Sequence, residues 1–278
     1  MRMEVPGDGA VQAQRGSVPM ENALLVGLSR QMVLGRELDI VANNIANIET
    51  TGYKADNAAF TQFLMPGARD NEFTGNDRRI SFVTDRASWI NFTPGAIQRT
   101  GNPLDVAIDG NAYLAVQSPR GVRYTRNGAL VTNASGQLVT SEGYPVMGDN
   151  GPITFQNTDH NVIISPSGII TVQEGNSIGD SQRGRLQLVS FDQQARLEKD
   201  GGSTFLAPPG VNPGQPALGV RVVQGAIEKS NVNPVGEMTR MLQITQSYTD
   251  IANVLQQQSD QRKNALSQLS QTPASGSA

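Results

Sequence analysis

The residues that could do chemistry are few. Gly175-Asn176-Ser177-Ile178-Gly179 fits the G-x-S-x-G pattern that places a nucleophilic serine on a strand–turn–helix, with a histidine later in the chain. The single histidine, His160, precedes this serine, and strand-like sequence follows it. In a chain with 29 glycines the pattern is expected by chance, so no catalytic residue is assigned. Asp105, Asp109, Glu142, Asp149 and Asp159 are candidates for paired carboxylates of the kind that cut sugars. Most sit at turn positions, where aspartate is favoured for local hydrogen bonding, and nothing separates an acid from a nucleophile among them. Asp159-His160 reads as a surface turn.

The absences are broader. There is no cysteine, which excludes disulfides, thiolate metal sites and a cysteine nucleophile. One histidine cannot build a multi-histidine metal centre, and no phosphate-binding glycine loop occurs, so no metal and no cofactor is expected. Lys and Arg number 22 against 25 Asp and Glu, a net charge of −3 that leaves no electrostatic footprint for nucleic acid. No apolar run reaches the length of a membrane span, so no membrane insertion is expected; with no catalytic constellation assigned, no small-molecule substrate is expected either.

The elements that would position such groups are marked by the uneven spread of helix breakers. Proline is absent from Met20 to Met65, and after Gly236 neither glycine nor proline occurs before Pro273. Every aromatic except Tyr248 lies between Tyr53 and Phe205. Breakers exclude helices and aromatics favour strands. The expected fold class is therefore mainly β with terminal α-helices.

Residues 1–19 read as a disordered extension or a misassigned start, without a cleavable secretory signal. A first helix is expected within 20–56, from about Glu21 to Ile48, some 28 residues or roughly 42 Å long. Leu34, Leu38, Val41, Ile45 and Ile48 recur at the spacing of a heptad seam. Asn43 and Asn47 fall on the opposite face, and Gly52 suits the stop. Residues 57–94 read as a linker, in which Asp77, Arg78, Arg79 and Arg86 are solvated. Residues 95–226 read as an all-β, hairpin-rich central domain. Its turns are Asp109-Gly110, Asn127-Gly128, Ser135-Gly136, Glu142-Gly143, Asn150-Gly151, Ser167-Gly168 and Asp200-Gly201. Strands are expected at Tyr113–Gln117, Val122–Thr125, Gln137–Thr140, Val162–Ile164, Ile169–Val172 and Leu186–Phe191. Pro208 to Pro216 reads as an exposed loop. A last helix occupies 227–270, with Asn233 as cap, Pro234 in its first turn, and Met241, Ile244, Tyr248, Ile251 and Leu255 as seam. Residues 271–278 read as a disordered tail.

A narrow stripe does not stabilise a long helix alone. The two helices either pair as a coiled coil or pack on the middle domain, and the narrow seams favour the coiled coil. What remains is a binding or building protein, whose contacts between copies would be heterologous and open-ended.

The sequence also resembles a known family. Ala42-Asn43-Asn44-Ile45-Ala46-Asn47, then Thr50-Thr51-Gly52-Tyr53-Lys54 and Phe60, is similar to the N-terminal signature of the flagellar rod and hook proteins. Thr100 to Gly110, Tyr124-Thr125-Arg126-Asn127-Gly128 and Gly143-Tyr144-Pro145-Val146 resemble its central hallmarks. Ser230-Asn231-Val232-Asn233-Pro234-Val235 with Glu237-Met238 resembles its C-terminal signature. The opening Met20–Gln31 is similar to proximal-rod members, whereas distal-rod members open with an aromatic. Ser247-Tyr248-Thr249 departs from the arginine, aromatic and glutamate common in the family.

The resemblance implies a structural subunit of the basal-body rod in the periplasm, exported unfolded by the flagellar type III export apparatus. Its implied partners are itself and other flagellar rod proteins. The terminal helices would form the assembly interface, with Asn43, Asn44 and Asn47 either bonding neighbouring subunits or capping the helix end. A distal-rod or hook-type subunit is the near alternative; a cell-wall hydrolase or a secreted adhesin is the remote one.

Overall fold

The computed structural model describes residues 18–66, 79–175, 179–192, 194–214 and 219–271. The fold is mainly β, with one helix near each end. Helix α1 spans Val18–Ala46 and helix α2 spans Pro234–Gln271. Of the expected extension 1–19 and tail 271–278, residues 1–17 and 272–278 lie outside the described residues, as does Ser177, whereas Val18 and Pro19 belong to α1 and Gln271 to α2.

Helix α2 starts where the sequence places its cap. The Asn233 Oδ1 accepts from Gly236 N at 3.2 Å, and Pro234 occupies the first turn, where its missing N–H costs nothing. Helix α1 ends in turns that lead to Gly52, whose φ of 69° is left-handed. A side chain there would also strike the backbone of Arg126 and Asn127 at 2.4 Å. Glycine is thus required twice over, by conformation and by space.

The chain divides into two compact bodies. The first comprises residues 18–39, 58–88 and 240–271 within the described ranges. It corrects the expected linker: Asp56–Pro66 and Arg79–Ile90 are long strands, paired as a two-stranded sheet. Asn57 to Ser88 holds β-branched and aromatic residues enough for pairing, but twelve residues, 67–78, separate the strands in place of a two-residue hairpin turn. The side chains of Arg79 and Arg86, and all of Asp77 and Arg78, lie outside the description.

The second body, residues 40–57 and 89–239, carries the β core. Tyr113–Ser118 and Gly121–Thr125 pair antiparallel, with Leu114 opposite Thr125 and Val116 opposite Arg123. They are central in a five-stranded sheet flanked by Leu188–Val189 on one side and by Thr204–Leu206 and Glu198–Lys199 on the other. Asp159–Ile164, Ile169–Glu174 and Asp180–Arg185 form a three-stranded sheet. One core gathers Val106, Leu114, Val116, Leu130, Leu138, Ile170 and Leu186. A second, aromatic core packs Tyr113, Tyr124, Phe191 and Phe205, with Phe191 meeting Tyr124 edge-on at 4.8 Å.

Six of the seven expected Xaa-Gly turns have their glycine at positive φ. Asn127-Gly128 is the exception. Gly128 takes no left-handed conformation, but a Cβ on it would lie 1.7 Å from the Val106 carbonyl oxygen. This glycine serves backbone approach and not a hairpin. Leu186–Phe191 is likewise not one strand: a ladder forms only at Leu188–Val189, with single bridges from Leu186 to Gly148 and Ser190 to Gly214. His160 is exposed on a strand, opposite Gln173, and not in a turn. In the loop from Pro208, Pro209, Gly210 and Asn212 to Gly214 are exposed, but Val211 is buried in the aromatic core.

Candidate functional site: a motif junction and two helix faces

The N-terminal, central and C-terminal motifs meet in the second body at one carboxylate. Glu228 Oε1 accepts from Lys54 Nζ at 2.6 Å and from Gly95 N at 2.9 Å. Its Oε2 accepts from Arg126 Nε at 2.6 Å, and its backbone oxygen accepts from Gly52 N at 2.8 Å. Arg126 gives three further donors to the carbonyls of Gly110, Ala112 and Ile108 and lies over the Tyr113 ring. Lys54 also donates to Thr93 O at 2.8 Å.

All three charged side chains are at most 5% exposed. Burial pushes the Lys54 ammonium below the usual lysine range, opposed by the Glu228 carboxylate. A buried ion cluster is tolerated when every donor and acceptor is satisfied, and it favours one arrangement over its alternatives. Here it ties residues 52–54 to the middle of the chain and to the segment entering α2.

Two asparagines complete the junction. Asn44 is fully buried on the last turn of α1: Nδ2 donates to Asp56 O and Oδ1 accepts from Asp56 N, both at 2.9 Å. Asn231 Oδ1 accepts from Ala55 N at 2.8 Å while its Nδ2 donates to Asn91 O and Thr93 O. Each amide thus mimics a strand partner for the loop that leaves α1. The Tyr53 hydroxyl bridges Asn43 Oδ1 and Asn44 Oδ1, and burial raises its pKa. Lys199 sits over the Tyr53 ring and pairs with Asp56 at 2.8 Å. Asn47 donates to Asn43 O and accepts from Thr50, closing the helix end.

The expected seam residues fall as follows. On α1, Val41 is buried, and Leu34, Leu38, Ile45 and Ile48 are half-buried. On α2, Ile244 is buried and Ile251 and Leu255 are half-buried, whereas Met241 and Tyr248 are exposed. The covered positions between them are Arg240 and Ser247, one residue earlier in each case. The covered stripe therefore follows Arg240, Ile244, Ser247, Ile251 and Leu255, which sequence hydrophobicity alone does not select. Within the first body, Arg240 donates twice to Glu37 Oε1, at 2.7 and 3.0 Å. A Cβ on Gly27 would lie 2.7 Å from the Leu255 side chain.

Three of the carboxylate candidates are engaged by other side chains. Asp105 is occupied locally by Thr100 and Asn102. Asp159 is held by Arg183 at 2.5 and 2.6 Å, which keeps its carboxyl below the usual range. Glu142 accepts from Ser203. Among the described residues no three His, Asp or Glu side chains cluster as a metal site would require, and no helix is long and apolar enough to cross a membrane.

Comparison with known proteins matches the three motif regions separately. Residues 24–54 match the family described as flagella basal body rod protein. Residues 107–172 match the flagellar hook protein FlgE/F/G D1 domain, and 223–269 the flagellar basal body rod FlgEFG protein C-terminal. The flagellar basal-body rod protein FlgF of Caulobacter vibrioides is 38% identical over 251 residues, covering 90% of this chain and 98% of that protein. The chain belongs to the flagellar rod and hook protein family. FlgF of Mesorhizobium japonicum is 30% identical over 90% of the chain and 98% of its own length. The rod protein FlgG of Agrobacterium fabrum is 32% identical over 76% of the chain and 85% of its own length. Family members of this kind are structural parts and not enzymes. Lys54, Arg126, Glu228 and Asn231 lie in or beside the family-like segments, yet nothing in their spacing signals that they meet.

Proposed function

We propose that the chain is a structural subunit of the bacterial flagellar basal-body rod, of the FlgF type, and that it polymerises through its terminal helices. The observation that carries this reading is the pair of matches in Caulobacter vibrioides, whose FlgF is 38% identical over 90% of this chain and 98% of its own length, against 30%, 84% and 93% for its FlgG. In this reading α1 and α2 pair as a coiled coil, consistent with the Glu37–Arg240 bridge and the packing of Leu255 on Gly27. The assembly interface draws on Leu34, Leu38, Val41, Ile45 and Ile48 with Met241, Ile244, Tyr248, Ile251 and Leu255. Asn43 and Asn47 lie at its edge, and Asn44 serves the subunit's own fold.

The subunit takes its place in the periplasmic rod after export by the flagellar type III apparatus, with other rod proteins as neighbours. Its β body provides bulk and stiffness and binds no substrate. Replacing Ile45 or Ile251 by Asp tests the reading. The variants should be exported and keep a folded β body by circular dichroism, yet fail to restore swimming to a deletion strain. Normal swimming with either variant would refute the helix-borne assembly.

A further inference from the structure

Among the described residues, none requires glycine at position 35. It lies in the interior of α1, where glycine is unfavourable relative to alanine, and it takes no left-handed conformation. A Cβ built on it would meet nothing within 4 Å, whereas Gly27, two turns earlier, makes room for Leu255. Gly35 belongs to a stripe on the side of α1 away from Glu37. Leu28, Met32, Gly35 and Asp39 follow at intervals of 4, 3 and 4, and Leu28 and Met32 are 50% and 70% exposed. Asp39 is the single polar position, of the kind that fixes register in a helix seam.

Helix α2 carries a matching stripe. Leu242, Thr245, Thr249 and Ala252 follow at intervals of 3, 4 and 3, and Leu242 is 72% exposed. The hydroxyls of Thr245 and Thr249 donate to their own helix, to Met241 O and Thr245 O, so the polar demand is met without a partner. Both stripes are heptad seams distinct from the one containing Ile244 and Ile251.

The two stripes complement each other in size. The contacts Gly27–Leu255 and Glu37–Arg240 run antiparallel, because the residue numbers rise on one helix as they fall on the other. Set in the same direction and register, Leu28 falls between Thr249 and Ala252, Met32 between Thr245 and Thr249, and Gly35 between Leu242 and Thr245. Large side chains of one helix meet small ones of the other along the whole stretch. The largest residue of this α2 stripe, Leu242, meets the glycine.

We infer that the outward stripe of α1 in one subunit packs against the outward stripe of α2 in a second copy of this chain, with Gly35 as the position of closest approach. Two different surfaces of one chain that fit each other make a heterologous contact, which propagates. The proposal rests on the rod-subunit reading and adds the surface by which copies touch.

The experiment compares Gly35→Ala and Gly35→Leu in the full chain, with a Met32→Cys/Thr249→Cys double variant in the naturally cysteine-free sequence. Purified Gly35→Leu should melt no lower than wild type, since a Cβ at this position meets nothing within 4 Å and leucine favours a helix interior over glycine. Its amount in isolated basal bodies should fall at least tenfold, with Gly35→Ala intermediate. Oxidised basal bodies of the double variant should yield reductant-sensitive dimers and longer ladders, with the two introduced thiols joined between copies by mass spectrometry. Wild-type incorporation of Gly35→Leu would overturn the proposal, as would linkage only to a different protein or unlinked monomer in assembled basal bodies. Where the double variant does not incorporate, the Gly35 pair decides alone. Absence of the wild-type chain from basal bodies would instead refute the rod-subunit reading.

Discussion

Arg126 Nε and Glu228 Oε2 lie 2.6 Å apart, although 102 positions separate them in the chain. Lys54 reaches the other oxygen of the same carboxylate at the same distance. One anion thus closes the loop after α1, the centre of the β body and the approach to α2 onto a single point.

Replacing Glu228 by Gln leaves two buried cations without their counter-charge. Breaking a buried ion pair by removing one partner costs about 3–5 kcal/mol. Urea denaturation of the purified chain should show a loss in that range for the transition of the β body. A loss below about 1 kcal/mol would mean the cluster is not closed in solution.

Asn44→Ala removes both partners of the Asp56 backbone. Each buried polar group left unsatisfied costs about 1–3 kcal/mol. The variant should lose about 2 kcal/mol of stability, and the Asp56 amide should exchange with solvent faster than in wild type. Unchanged protection of that amide would show that Asn44 does not hold it.

Two glycines should respond oppositely to alanine. Gly128→Ala forces a Cβ into the Val106 carbonyl at 1.7 Å and should destabilise by more than 2 kcal/mol, on the order of other overpacked sites. Gly35→Ala meets open space in a helix interior and should stabilise α1 by up to about 1 kcal/mol. Thermal melts of the two purified variants check both signs.

Stability should fall in acid partly through Asp159. Arg183 lowers its folded pKa, so the unfolded chain binds the proton more tightly than the folded one. The stabilisation is full above the unfolded value near 3.9 and is lost as pH falls through the lower folded value. Asp159→Asn should therefore flatten the acid limb of stability against pH while lowering stability at pH 7. Equal acid slopes in both proteins would contradict the assignment.

The parts of the fold legible in the sequence are those fixed by neighbours along the chain. The cap formed by Asn233 and Pro234 depends on residues within one turn, and the glycines at positions 110, 136, 143, 151, 168 and 201 on their own turns. The strands Asp56–Pro66 and Arg79–Ile90 are hidden because twelve residues, 67–78, separate them in the sequence, where a two-residue turn would have marked a hairpin. The seam of α2 shifts at Arg240 and Ser247 because an ion pair to Glu37 and a small hydroxyl can occupy a covered stripe as well as a methionine or tyrosine can. The junction at Glu228 leaves no local pattern at all, since its partners are 102 and 174 positions away. Resemblance marked the segments; only the three-dimensional arrangement shows what they share.

The most direct measurement is quantitative mass spectrometry of hook–basal bodies purified from wild type and from a strain lacking this chain. The wild-type particles should contain the chain in fixed proportion to other rod proteins, and the deletion strain should lack hooks and filaments. A chain absent from purified basal bodies, with the deletion strain still swimming normally, would contradict the rod-subunit reading.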